Sequence, residues 1–246
     1  EQRQAHLMHA ERFSGLVQHD FLSVARPGRR LHGMAFSLVR VGVNDIHFTE
    51  LQDPGRAISA DNRPLIASTE QSADYALYLS GARRLGKRLA IGLSAKAIYR
   101  QVASVNAYGF GVDLGARYQL SPGIALAANL RDITTTPIIW NTDSTDRIQP
   151  SLLLGLAYAL PLAGGQTTFI VGSRSGGDST NTADKAPLNA GLEYHHRYIT
   201  LRAGLEESRQ SLGLGLKPHA KLDLDLAYLQ HNELRVTYQL SANFRF

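Results

Sequence analysis

The side chains able to do chemistry in this chain are charged residues set singly among apolar neighbours: Lys96, Arg100, Asp113, Arg117, Arg131, Glu193, Arg202, Asp223, Asp225, Arg235 and Arg245. In an extended strand, successive side chains point to opposite faces, so each of these lies on the face away from its apolar neighbours. A set of charges gathered on one face could bind a charged ligand or line a water-filled passage. It could also do no more than solvate that face and pair across strands, which is the simpler reading of the pattern.

Covalent and metal chemistry find little support. There is no G-x-S-x-G elbow and no S-x-x-K. Gly109-Phe-Gly-Val-Asp-Leu-Gly has the wrong spacing for a dinucleotide turn and lies inside an alternating stretch, where its glycines fit strand curvature. His6 and His9 are close in sequence, but the adjacent pair His195 and His196 must point to opposite faces and cannot share a metal. Asp143, Asp146, Asp178 and Asp184 lack the regular oxygen-ligand spacing of a calcium loop. The expectation is a non-enzymatic protein with no catalytic residues, no metal site and no cofactor.

Composition narrows the class further. No cysteine is present, which excludes a disulfide framework and thiolate metal sites. The net charge of +5 could suggest nucleic acid, but the basic residues are dispersed, with only short pairs such as Arg29-Arg30 and Arg83-Arg84. No nucleic-acid partner is expected. Apolar runs such as Ile124–Ala128 fall far short of the ~20 residues a spanning helix needs. Glu1 to Ala10 has neither the basic start nor the apolar core of a signal peptide, which for a membrane barrel implies a mature or trimmed chain.

The elements that must hold the charged face are strands. Leu234, Val236, Tyr238, Leu240, Ala242, Phe244 and Phe246 alternate with Arg235, Thr237, Gln239, Ser241, Asn243 and Arg245. A strict period of two over that length marks a strand with one apolar and one polar face, long enough to cross a bilayer at a tilt. Leu152 to Leu160, Leu222 to Tyr228, Tyr108 to Tyr118 and Leu89 to Tyr99 repeat the pattern. Ending on Phe246 is typical of outer-membrane β-barrels, with Tyr238, Phe244 and Phe246 as the assembly signal read by the barrel-assembly machinery.

The connections alternate between two kinds. Short turns fall at Pro27-Gly28, Gly86-Lys87, Pro122-Gly123, Ala163–Gly165, His196-Arg197 and Pro218-His219. Longer or more polar connections are expected at Asn44–Ala73, Gln101–Val105, Asp132–Gln149, Ser173–Lys185, Glu206–Arg209 and Gln230–Asn232. Short periplasmic turns and longer extracellular loops are the layout of bacterial outer-membrane barrels. The turns separate thirteen strands from Leu16 onward. A further ascending strand over Arg3–His9 makes fourteen, the even number a closed antiparallel barrel requires. The expected fold is therefore all-β: one transmembrane up-and-down antiparallel barrel of about 14 strands over residues 1–246, in contact with outer-membrane lipid.

On these elements the chain resembles the PorV/PorQ-like outer-membrane proteins, relatives of the fatty-acid transporter FadL. The likeness lies in His9-Ala-Glu-Arg-Phe-Ser-Gly and the strand ending Ser23-Val-Ala-Arg-Pro27. It continues in the Tyr75–Gly92 hairpin, in Asn129–Arg131, and in the loop with Pro137 and Trp140 that re-enters at Ile148-Gln-Pro-Ser. The resemblance implies a fourteen-stranded barrel and a role in type IX secretion, as a partner in a secretion or surface-assembly complex acting through loops and rim. The alternative is a FadL-like transporter or channel for a hydrophobic or small polar ligand. The family usually carries an Asn-Pro-Ala-Gly segment in a plug before the first strand. This sequence lacks that segment, so either the N-terminus is trimmed or the plug is supplied otherwise, and both an open and a plugged lumen fit. Trp140, the only tryptophan, reads either as an anchor for a protein partner or as a membrane-interface residue. Tyr75, Tyr78, Tyr99, Tyr118, Tyr158, Tyr194 and Tyr228 read as the aromatic girdle.

Overall fold

Alternating apolar and polar residues throughout the chain leave it one way to satisfy its backbone in lipid, a sheet that closes on itself. The computed structural model describes residues 2–28, 31–177, 187–206, 209–230 and 236–246. Its strands are β1 (Gln4–Arg12), β2 (Val17–Arg26), β3 (Gly33–Leu51), β4 (Pro64–Leu85), β5 (Leu89–Val102), β6 (Val105–Ser121), β7 (Ile124–Arg131), β8 (Thr136–Trp140) and β9 (Thr145–Ile148). They continue as β10 (Ser151–Leu162), β11 (Gly165–Gly176), β12 (Leu188–His196), β13 (Ile199–Glu206), β14 (Arg209–His219), β15 (Leu222–Gln230) and β16 (Thr237–Arg245).

All strand pairings are antiparallel and belong to one sheet. Setting aside β8 and β9, which form a hairpin above the wall, fourteen strands pair in a ring closed by β1 on β16 and by β10 on β7. Closure at the termini is continuous: Arg3 and Phe246 exchange backbone hydrogen bonds of 3.0 and 2.9 Å. The short turns use the backbone such hairpins favour. At Ala163-Gly164 both residues have positive φ (51° and 76°), the mirror-image turn whose twist matches the strands it joins.

Each strand sorts its residues by parity. Leu7, Leu22, Leu77, Leu79, Phe110, Leu154, Leu192, Leu226 and Leu240 all face outward and are exposed, forming the apolar belt. Residues between them face the lumen. Among the described residues only Ala10, Ala73, Ala107 and Ile138 are buried apolar side chains, so the barrel has no packed core of the globular kind. A compact soluble monomer of this mass would expose roughly 11,000 Å². This chain exposes 16835 Å². Much of the difference is inner wall open to solvent.

Two of the longer connections are more ordered than their sequence implies. In place of a loop over Asn44–Ala73, β3 and β4 stay paired far past their neighbours. The last pair with β2 is Gln18↔Gly42 and the last with β5 is Ser72↔Val102, yet β3–β4 pairing continues to Leu51↔Pro64. The result is a free ribbon rising about 30 Å beyond the rim. Standing clear of lipid, it needs no apolar face, which is why it lacks the alternation that reveals the other strands. The Asp132–Gln149 connection likewise holds the β8–β9 hairpin, which extends the β7–β10 pair after a tight turn at Asp132–Thr135.

Candidate functional site

Five neighbouring strands, β12 to β16, bring the largest group of expected lumen charges together near the short-turn end. Arg202 on β13 donates through Nε to Glu193 on β12 at 2.7 Å and through Nη1 to Asp225 on β15 at 2.6 Å. Asp225 lies two strands away, so the guanidinium must cross β14. Gly215 makes that possible: a Cβ there would sit 2.7 Å from Asp225 Oδ1 and 3.1 Å from Arg202 Nη1. On the next turn of the wall Arg245 pairs with Asp223, which also accepts from Asn243 Nδ2 at 3.3 Å. With His195, Thr200 and Lys217, the charged residues Glu193, Arg202, Asp223, Asp225 and Arg245 line a lumenal recess of about 240 Å³. Arg202 is 41% exposed, so this network is wet.

A second group, toward the extracellular end, is drier. Lys96 on β5 is 6% exposed and its Nζ lies 2.8 Å from Asp113 Oδ1 and 2.7 Å from Asp132 Oδ1. Asp132 has φ of 55°, placing its carboxylate inward at the start of the turn. There it accepts from Thr136 Oγ1 at 2.5 Å, while its own N–H donates to Asp113 at 2.8 Å. A glycine again clears the path: a Cβ on Gly111 would meet Lys96 Cε at 2.8 Å, with Thr136 Oγ1 closer still. These contacts lock the base of the β8–β9 hairpin to the inner wall. Two inward positions further along β5, Arg100 makes a two-pronged contact with Asp74, at 3.0 and 2.9 Å.

Lys96, Arg100, Asp113, Arg117, Arg131, Glu193, Arg202, Asp223, Asp225 and Arg245 all take the inner parity of their strands. Arg235 lies outside the described residues, as do Asp178 and Asp184. Arg117 reaches only Gln119 Oε1, at 3.1 Å, and stands apart from the ion pairs. Sequence periodicity passed over Asp74, Asp132 and Lys217. Asp132 follows a strand end, where alternation carries no information. Asp74 and Lys217 obey the alternation and could have been found by it.

The outer face also differs in places from expectation. Tyr75, Tyr99 and Tyr108 form a row of contacting rings, with centroids 6.2 and 5.1 Å apart, and Tyr228 meets Tyr238 at 5.7 Å. Tyr78 is no girdle residue: it pairs with Lys96 on the inner face. Tyr238, Phe244 and Phe246 are exposed on the outside. His9, Asp20 and Arg40 form an outward polar chain, His9 Nδ1 to Asp20 at 2.7 Å and Arg40 Nη1 to Asp20 at 3.2 Å, which no sequence pattern announced. His195 and His196 take opposite faces, bonding Thr200 Oγ1 and the Gly164 carbonyl. Among the described residues no three potential ligands converge on a metal position. Trp140 lies on the inner side of the β8–β9 hairpin and its indole N–H donates to Asp146 Oδ2 at 2.7 Å. Asp143 sits at the tip of that hairpin with φ of 61°.

Comparison with known proteins rests on shape alone. Neither a family model nor a curated protein sequence matches the chain. Among solved structures it is similar to the toluene transporter TodX of P. putida, with a TM-score of 0.64 at 11% identity over 100% of this chain and 90% of that one. It is similar to the outer membrane protein Omp33 of Acinetobacter baumannii, with a TM-score of 0.56 at 9% identity over 100% and 98% of the two chains. The monoaromatic hydrocarbon channel CymD gives 0.58 at 12% identity over 100% and 89%. The likeness is one of fold, and with the closed fourteen-stranded ring and its apolar belt it identifies the chain as a β-barrel of the bacterial outer membrane.

Proposed function

We propose that this barrel is a non-enzymatic outer-membrane channel that lets a small polar solute pass through its lumen. The observation that carries the reading is the wet, charged inner wall, with Arg202, Glu193 and Asp225 all partly open to solvent inside a barrel that lacks a packed core. A wall of that kind keeps water in the passage and favours solutes that need not leave it. TodX and CymD are named for toluene and monoaromatic hydrocarbons, and a hydrophobic cargo is the competing version of the same reading. Reconstitution into planar bilayers tests it: discrete ohmic steps, with liposomes that swell in small sugars, are expected. A sealed barrel that instead accumulates toluene would favour the hydrophobic cargo.

The secretion role implied by the PorV/PorQ resemblance is the second reading, and the β3–β4 ribbon is what favours it. The ribbon offers two unpaired strand edges and exposed Phe48, Leu65 and Ile66 outside the membrane. Stoichiometric capture of an envelope protein that depends on residues 44–72, from a barrel that conducts nothing, would support it.

A further inference from the structure

We infer that the half of the lumen beside the short turns selects for anions, and that its solute is a small carboxylate or phosphate. The inference rests on the channel reading and gives it a substrate class. In this half the inner face carries Arg84, Arg117, Arg202, Lys217 and Arg245 against Glu193, Asp223 and Asp225. Asp223 is held by Arg245, while Glu193 and Asp225 share the single Arg202 and leave one net negative charge, which Lys217 in the same recess offsets. Arg84, Arg117 and Lys217 have no ion-pair partner among the described residues, and Arg117 is satisfied only by a neutral amide.

Their placement makes the excess effective. Arg84 and Arg117 share a rung on either side of Ala90 of β5. In the fourteen-membered ring β5 and β14 are seven strands apart in both directions, so they stand opposite each other. Lys217 is on β14. The uncompensated pair Arg84 and Arg117 therefore faces, across the passage, a recess whose charges balance.

Among the described residues the nearest further inward acids are Asp113 and Asp132, which share Lys96 and leave one net negative charge about 13 Å along β6 from Arg117. The short connections at 27–32, 86–88, 122–123, 163–164, 197–198 and 220–221 contain Arg29, Arg30, Lys87, Arg88, Arg197 and Lys221 and not one Asp or Glu. Asp45, Glu50, Asp53, Asp61 and Glu70 lie on the ribbon beyond the opposite rim. That is several screening lengths away at the ~8 Å of physiological salt. Between low-dielectric walls, a potential of about one kT raises the local anion concentration about threefold and lowers that of cations equally.

Reversal potentials across a KCl gradient test this in the reconstituted barrel. The expected result is chloride permeability at least about threefold above that of potassium. The preference should weaken as salt rises, and chloride current should be inhibited by citrate or inorganic phosphate added to the bath. The triple variant R84Q/R117Q/K217Q should bring the permeability ratio toward unity. A cation preference, or a ratio the triple variant leaves unchanged, overturns the inference while leaving the channel reading intact. If the barrel carries no current, the channel reading falls instead. Calorimetry with citrate on the detergent-solubilised barrel then decides: saturable binding lost in the triple variant supports an anion site, and no binding overturns it.

Discussion

Arg202 and Asp225 are joined at 2.6 Å although a whole strand runs between them. The guanidinium lies over Gly215, so one missing side chain on β14 creates the contact between β13 and β15. Lys96 repeats the device over Gly111 to reach Asp132. Glycines that look like relief for strand curvature thus serve as floors for charged side chains laid along the inner wall.

Gly215→Val should break the Arg202–Asp225 pair and narrow the recess. The pair is partly exposed, so the cost in stability is expected to be at most ~1 kcal/mol. Single-channel recording should show an altered conductance, whereas urea unfolding in lipid vesicles should barely move. A collapse in stability would mean that the network holds the wall together.

Lys96→Ala should behave in the opposite way. It leaves Asp113 and Asp132 facing each other in a dry site without their cation, a loss of about 3–5 kcal/mol. Adding Asp113→Asn and Asp132→Asn should recover part of that stability. The same unfolding assay reads both, and an unaffected single variant would contradict the buried cluster.

Leu240→Arg and Gln239→Arg are neighbours in sequence that should part company in the membrane. Leu240 is 59% exposed on the outer belt, where an arginine costs about 2–4 kcal/mol at the bilayer midplane. Gln239 faces the lumen and should accept arginine at little cost. Equal effects in vesicle refolding would show that the two faces are wrongly assigned.

Trp140 should report water rather than lipid. Its indole is bonded to Asp146 on the inner side of the β8–β9 hairpin. Acrylamide is expected to quench its fluorescence and brominated lipids to leave it unchanged. The reverse pattern would return it to the membrane-interface belt.

Much of this was readable from residue order because a strand's period is a local property. The parity of Leu152 to Leu160 or of Tyr238 to Phe244 is set by the backbone alone, so it shows which side chains meet lipid and which meet the lumen before any fold is known. Legibility failed where that constraint lapsed. The ribbon above Gly42 touches no lipid and so carries no alternation, and Asp132 sits at a turn where positive φ, not parity, sets its direction. Tyr78 was misplaced because a tyrosine suits both a girdle and a wet lumen.

By itself, then, the sequence determined the barrel class, the even strand number and the inward face of the charged residues among those described. Only the tertiary structure decided which charges meet, that Arg202 crosses β14 and Lys96 crosses β6, and that Arg84 and Arg117 share a rung with no ion-pair partner among the described residues. The reason is physical. Facing is settled within one strand, while pairing depends on register, closure and the gaps that glycines leave between strands distant in sequence.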